Sequence, residues 1–225
     1  MTRATNVRLM TTFNIGNLWY AQYTLPFMRQ YAERVGAELC IEEEFPSWFQ
    51  YGAMPHWIMV DSIKRFAAQD RYETGLFLDL DQLVTPSCPD VFNLIGDGAG
   101  VVADMGIPQV DGPFEDWCQE WFGELPQRGA YFNAGLLVIS RNAARRLLSV
   151  LTAPYPDGYL PDNHYLNLKL TKREPVTWLP LEFNWLAPQY ADPEKHHIIH
   201  FVGGMKSMLP EFTARLKSPV HVARL

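Results

Sequence analysis

The chain contains 225 residues with a formal net charge of −6, and 48% of its residues are hydrophobic while 20% are charged. This composition is ordinary for a globular protein that buries a sizeable core in one large or two small domains. The negative charge and the absence of a lysine or arginine run exclude a nucleic-acid groove, which requires clustered cations. An anionic substrate would therefore need a local cation, such as a bound metal ion.

The three cysteines, Cys40, Cys88 and Cys118, are widely spaced and form no C-x-x-C pair. They predict neither a disulfide framework nor a zinc site, and they are typical of thiols in a reducing compartment. The N-terminus lacks a signal-peptide core, and no apolar run reaches the roughly 18 residues of a membrane-spanning helix. We therefore expect a cytoplasmic protein without a transmembrane segment, for which peripheral contact with a membrane surface stays open.

Strand-like and helix-like segments alternate along the chain. The predicted strands cover residues 7–13, 37–41, 75–78, 100–103, 131–139, 178–181 and 198–201. The predicted helices cover residues 18–35, with Gly36 as C-cap, residues 58–68, 114–122 and 142–151, and residues 162–170, with Asp162 as N-cap. An aromatic stretch at residues 45–57 contains two prolines and predicts a surface loop. The alternation predicts one α/β domain over residues 1–225, with a mostly parallel central sheet flanked by helices.

Two carboxylates, Asp79 and Asp81, follow the buried apolar run at residues 75–78. If the strand continues straight to Asp81, both side chains lie on one face, because strand residues at i and i+2 point the same way. Open α/β sheets bind ligands at the carboxyl ends of their strands, and two carboxylates there suit Mg²⁺ or Mn²⁺. The pair could also serve only to end the strand and solvate a turn.

A second candidate segment follows the last predicted strand, where His200 precedes a glycine pair and Lys206. His200 could add a nitrogen ligand, which would favour Mn²⁺ over Mg²⁺. Glycine allows backbone N–H groups to approach a phosphate closely, and the lysine can neutralise its charge. Alternatively, the histidines of this segment could be only the polar start of a strand.

Five sequence blocks together resemble the glycogenin-like retaining glycosyltransferases of family 8, which have a Rossmann-like GT-A fold. The blocks are FLDLD at 77–81, FNAGLL at 132–137, DNHYLN at 162–167, LPLEFN at 179–184 and HFVGGMK at 200–206. The resemblance spans roughly residues 7–208, nearly the whole chain. It implies a metal-dependent enzyme that transfers a sugar from a nucleotide-diphosphate donor, such as a UDP-sugar, to a glycan or other hydroxyl acceptor with retention.

The resemblance also assigns roles to individual residues. Asp79, Asp81 and His200 would hold Mn²⁺, with Mg²⁺ as the alternative, and Gly203 and Lys206 would hold the diphosphate. The remaining implied donor contacts are Thr11, Thr12 and Phe13 (or Tyr20) at the nucleotide, Lys64 at the donor, and Asp104 and Asn133 at the sugar. Asp162 and Asn163 would lie beneath the sugar as the catalytic residues, stabilising an oxocarbenium-like centre.

The sequence departs from the family pattern at two places. Ser207 and Met208 follow Lys206 where the family continues with Pro-Trp, which leaves the closure of the C-terminal loop open. The family's Asp-Gln-Asp block has asparagine and histidine at its second and third positions here, which leaves the sugar and the stereochemistry open.

Two other functions are compatible with the D-x-D segment. Haloacid-dehalogenase-type phosphatases also end a strand in D-x-D, but their domain normally begins with it, whereas about 70 residues precede it here. A catalytically silent module that binds sugar nucleotides or glycans is the third reading. Taken singly, Asn133 could belong to a turn, Lys64 to a solvated helix face and Asp162 to a helix cap.

Overall fold

The computed structural model describes residues 8–45, 56–106, 112–127, 129, 131–151 and 161–216, so most of the predicted aromatic loop at 45–57 lies outside the described residues. The strands are β1 Arg8–Phe13, β2 Ala37–Glu42, β3 Thr74–Leu78, β4 Gln82–Val84, β5 Ala99–Ala103, β6 Phe132–Ser140, β7 Val176–Leu179 and β8 Ile198–His200. The helices are α1 Ala21–Val35, α2 Trp57–Ala68, α3 Gly112–Phe122, α4 Arg141–Leu147, α5 Pro161–Leu170 and α6 Leu209–Leu216.

Six strands form the central sheet in the order β2-β1-β3-β6-β5-β7. β1 runs parallel to β2 and β3, and β5 runs parallel to β7, while β6 lies antiparallel to both of its neighbours. Only β6 therefore runs against the common direction, and the predicted mostly parallel α/β sheet is confirmed. The carboxyl ends of the parallel strands and the amino end of β6 meet at one edge, where such sheets bind ligands.

Helices cover both faces of this sheet, which explains why its strands are apolar without interruption. On one face, Phe77 and Leu137 pack in a core cluster with Trp57 of α2. On the other face, Leu76 and Leu136 pack in a cluster with Met28 of α1. Successive strand residues thus enter opposite cores, as strand geometry requires.

Helix α1 begins later than predicted and ends where predicted. It starts at Ala21 instead of residue 18, and Gly36 caps it in the left-handed region at φ 67°. The N–H of Gly36 donates to the carbonyl groups of Ala32 and Glu33. This is a common helix C-cap, for which glycine is the favoured residue.

The predicted strand that begins at residue 75 does not continue straight to Asp81. β3 ends at Leu78, and the N–H of Gln82 donates to the carbonyl of Asp79 at 3.1 Å, which closes a turn. β4 then pairs antiparallel with β8 in a separate two-stranded sheet. The reason is that pairing with β6 ends at Leu78, and the chain turns to pair with a distant strand instead.

Two helix predictions need smaller corrections. The helix predicted over 142–151 is α4, which already ends at Leu147. The helix predicted from Asp162 begins at Pro161, so Asp162 lies within the first turn of α5 and not at the N-cap.

Among the described residues, no helix combines the length and apolar character needed to cross a membrane.

Candidate metal centre

The small β4–β8 sheet brings the two predicted halves of the site together. Gln82 is the partner of His200 in the β4–β8 register, and the N–H of Phe201 donates to the carbonyl of Asp81 at 3.0 Å. One ligand atom from each of Asp79, Asp81 and His200 lies within 4.8 Å of the others. His200 Nε2 is 3.1 Å from Asp81 Oδ1 and 3.7 Å from Asp79 Oδ2.

This trio fits a divalent metal ion. Two carboxylate oxygens and one imidazole nitrogen form a donor set that suits Mn²⁺ and is compatible with Mg²⁺. Asp79 keeps 43% of its side chain exposed, so the site is open to a further ligand. The residues therefore fit the metal that the sequence predicts.

Gly135 of β6 provides the space for this arrangement. A Cβ atom there would lie 2.5 Å from His200 Cε1 and 2.8 Å from Asp79 Oδ2. From the sequence, this glycine is known only as part of the block at 132–137, because no sequence pattern reveals which side chains approach it. In the structure it is the backbone floor of the candidate metal site.

The three ligands influence one another's charge. Asp79 is only partly buried, and this partial burial and then the charge of Asp81 raise its pKa to about 6. Burial also opposes ionisation of Asp81, but contacts with His200 and Lys206 prevail and lower its pKa to about 2. Burial lowers the pKa of His200, but Asp81 and Asp79 together outweigh this effect, and the result is a raised pKa. The buried pair of Asp81 and His200 is therefore held together by charge.

Lys206 lies at the same site. Its Nζ is 2.6 Å from Asp81 Oδ2 and 5.5 Å from the centre of the Tyr20 ring. It belongs to a 3-10 segment, Gly203–Met208, that begins with Gly203 at φ 55°. Burial, Asp81 and Asp79 raise the pKa of Tyr20 to about 12. Lys206, the residue predicted to contact the diphosphate, thus forms an ion pair with the candidate metal ligand Asp81.

The residues predicted at the donor sugar form a buried hydrogen-bond network. Asn133 Nδ2 donates to Asp104 Oδ2 at 3.1 Å, and the N–H of Gly135 donates to Asn133 Oδ1 at 3.0 Å. The N–H of Ala134 donates to Asn163 Oδ1 at 2.7 Å. The side-chain oxygen of Asn163 therefore already accepts a hydrogen bond from the protein backbone.

Asp162 lies close to the candidate metal ligands. Its charge is one of the causes that raise the pKa of Asp79. Its own pKa is raised to about 7 by burial. Its Oδ1 is buried without a hydrogen-bond partner and lies 3.8 Å from Nδ1 of His56. His56 was not predicted, because an isolated histidine before a helix carries no signal.

Of the other predicted contacts, Thr11, Thr12 and Phe13 lie at the carboxyl end of β1, at this edge of the sheet. Thr11 and Thr12 are buried near the end of β1, and Thr12 Oγ1 has no hydrogen-bond partner. Phe13 is half-buried against the core cluster of Phe77 and Trp57. Lys64 lies half-buried on α2. These positions leave their predicted contacts with a nucleotide as predictions.

Comparison with solved structures shows the same fold in several glycosyltransferases. One, involved in glycosylating the major capsid of PBCV-1, has a TM-score of 0.59 and 16% identity, over 94% of this chain and 100% of its own. The galactosyltransferase LgtC, solved with donor and acceptor sugar analogues, has a TM-score of 0.55 and 14% identity, over 97% of this chain and 100% of its own. The bifunctional glycosyltransferase WbbM, in its apo structure, has a TM-score of 0.56 and 15% identity, over 99% of this chain and 51% of its own.

Comparison by sequence, in contrast, identifies no related protein. No protein-family model and no curated protein sequence matches the chain. Membership of the glycogenin-like family 8 therefore stays a prediction. The strand order, the flanking helices and these structural matches show that the chain has the GT-A fold.

Proposed function

We propose that the chain is a metal-dependent glycosyltransferase that moves a sugar from a UDP-linked donor to a glycan or other hydroxyl acceptor with retention. The observation that carries this proposal is the convergence of Asp79, Asp81 and His200 beside Lys206, at the ligand-binding edge of a GT-A sheet. A cytoplasmic location, peripheral membrane contact and a single domain over residues 1–225 belong to the same proposal.

Mn²⁺, or Mg²⁺ in its place, would be held by Asp79, Asp81 and His200 and would act as a Lewis acid toward the donor diphosphate. Lys206 would move from Asp81 to the diphosphate and stabilise the negative charge of the leaving group. Gly203, which begins the segment that carries Lys206, would let the backbone approach the phosphates.

The sugar would lie over the network of Asp104 and Asn133. In front-side attack, the acceptor oxygen bonds to the anomeric carbon while the bond to the diphosphate oxygen breaks, and that oxygen takes the acceptor proton. Asp162 and Asn163 would stabilise the positive charge that develops on the sugar. Because Asn163 Oδ1 accepts from Ala134, Asp162 with its unpartnered Oδ1 is the stronger candidate for this role.

The fold favours this function over a haloacid-dehalogenase-type phosphatase, for which the D-x-D segment was also compatible. If Asp79 were a phosphatase nucleophile, beryllofluoride would form a phosphoryl-aspartate mimic on it. We expect no such adduct. A silent binding module would bind the donor saturably and release no UDP.

The decisive variant is Asp79→Asn, which removes one charged candidate ligand. We expect wild-type protein to release UDP from a UDP-sugar only with Mn²⁺, and the variant to lose at least about 100-fold of this activity, consistent with a lost transition-state interaction of a few kcal/mol. Asp70→Asn is the matched control, since Asp70 is exposed and pairs with Arg145. Full activity in the Asp79 variant would rule out the metal assignment.

A further inference from the structure

Asn184 is fully buried and links the candidate metal ligand His200 to Asn133 of the donor-sugar network. It follows the 3-10 turn Leu181–Phe183. The next residue, Trp185, pairs with β8, since its N–H donates to the carbonyl of Ile198 and its carbonyl accepts from the N–H of His200. This pairing places the amide of Asn184 beside the imidazole ring.

The hydrogen bonds of this region determine which way each amide must point. The N–H of Gly135 is only a donor, so the Asn133 atom that faces it must be the oxygen. Asn184 faces the same Asn133 oxygen at 3.0 Å and must present its Nδ2 group there. The other end of the Asn184 amide is therefore Oδ1, which is an acceptor.

Asn184 Oδ1 lies 3.0 Å from His200 Nδ1 and accepts a second bond from Gln82 Nε2 at 2.9 Å. An acceptor at this distance requires a proton on Nδ1. Gln82 Nε2 is also 3.5 Å from Nδ1, which is at the outer limit for a hydrogen bond, so the shorter contact with Asn184 Oδ1 assigns the Nδ1 proton. His200 Nε2 faces Asp81 and Asp79 at 3.1 Å and 3.7 Å, so a metal ion bound there would replace the Nε2 proton while Nδ1 keeps its own.

From this chain of contacts we infer that Asn184 is a positioning residue that holds His200 in the tautomer able to bind a metal through Nε2. The inference rests on the proposed metal site, but not on any particular sugar or acceptor. Outer partners of metal-binding histidines act in this way, and their loss commonly weakens metal binding about 10- to 100-fold.

The test measures the dissociation constant of Mn²⁺ alone by electron paramagnetic resonance, without nucleotide. Asn184→Leu keeps the approximate volume and removes the acceptor, so we expect binding about 10- to 100-fold weaker. Asn184→Asp keeps an oxygen toward Nδ1, and its protonated form can still donate to Asn133. We expect this variant to remain within about fivefold of wild type, well short of the loss typical of a missing outer partner.

Asn167→Leu is the matched control. Asn167 is also a buried asparagine, but its amide bonds the backbone of Phe132 and Asn163 instead of a candidate ligand. It should lose stability and keep its Mn²⁺ affinity. Equal Mn²⁺ affinity in folded Asn184→Leu and wild type would overturn the inference.

Wild-type protein offers a second measurement that needs no folded variant. With Zn²⁺ as a diamagnetic substitute, ¹⁵N chemical shifts of His200 should show a protonated Nδ1 and a metal-bound Nε2. An unprotonated or metal-bound Nδ1 would overturn the inference. If neither Asn184→Leu nor Asp79→Asn weakens Mn²⁺ binding, the proposed metal site itself is wrong. If Asp79→Asn weakens Mn²⁺ binding and Asn184→Leu does not, the metal site stands and only the role of Asn184 is wrong.

Discussion

At the scale of single residues, Gly135 is the position that leaves room for the candidate metal ligands. A side chain there would collide with His200 and Asp79 on one side and would lie 2.8 Å from Asn133 Oδ1 on the other. These neighbours are held by the β4–β8 pairing and by hydrogen bonds, so they cannot withdraw freely. The absence of a side chain at this position is therefore a condition for the proposed metal site.

Gly135→Ala is expected to disturb the site more than the fold. Overpacking of this kind costs about 1–3 kcal/mol of unfolding free energy, and it should displace the metal ligands enough to weaken Mn²⁺ binding at least about tenfold. Metal titration and thermal unfolding would measure the two effects. Gly112→Ala meets nothing within 4 Å and should leave both quantities near wild type. Unchanged Mn²⁺ affinity in Gly135→Ala would contradict the account.

Asp162 gives a prediction for pH dependence in metal-free protein. Its pKa is about 7 in the fold and 3.8 in a model peptide, so between these values the folded state holds a proton that the unfolded state has released. Its contribution therefore makes the protein less stable as pH rises through this window. The asparagine of Asp162→Asn cannot ionise, so this variant does not lose stability in this way as pH rises.

The unfolding free energy of Asp162→Asn relative to wild type should therefore increase by a few kcal/mol between about pH 4 and pH 8. Urea unfolding in a chelating buffer at several pH values would measure it. Asp70→Asn is the control. Arg145 lowers the pKa of Asp70, so Asp70 is already ionised in the folded and unfolded states over almost all of this pH window, and its substitution should change stability nearly equally at each pH. A difference that stays constant over the window would show that Asp162 is ionised in the fold.

At the scale of secondary structure, the small β4–β8 sheet decides where the ligands meet. Leu83 and Ile199 of this sheet pack with Phe201, with Phe27 of α1 and with Phe212 of α6. This cluster anchors the turn that contains Asp81 and the strand that ends at His200. Helix α6 was not predicted from the sequence. Of the sheet it covers, β8 was predicted as the strand at 198–201, whereas β4 was not recognised as a strand of its own.

The C-terminal cap of helix α1 can be tested by a substitution that should not affect the candidate metal site. Gly36→Ala meets no atoms within 4 Å, so its cost is only the strain of φ 67°, about 1 kcal/mol. Chemical unfolding would show this loss, with Mn²⁺ affinity unchanged. Gly96→Ala, which is equally open and has no positive φ, should change stability by less than about 0.5 kcal/mol. Equal stability of the two variants would argue against the left-handed cap.

At the scale of the whole molecule, the sequence predicted the layered architecture because buried strands and amphipathic helices have distinct periodicities. It also predicted Asp79, Asp81 and His200 as neighbours, since each follows or ends a strand and belongs to a recognisable block. It could not predict the turn after Leu78, which depends on a partner strand more than a hundred residues away. The closeness of Gly135 and the orientation of the Asn184 amide depend on atomic packing, which leaves no periodic signal.

The central claim is that Asp79, Asp81 and His200 hold a metal ion that recruits a nucleotide-sugar donor. Calorimetric titration of a panel of nucleotide sugars, with Mn²⁺ and with a chelator, tests this claim most directly. The account predicts that UDP-linked sugars bind with Mn²⁺ and that binding is lost with the chelator and in Asp79→Asn. Equal affinity with and without Mn²⁺, or no binding of any nucleotide sugar in its presence, would contradict it.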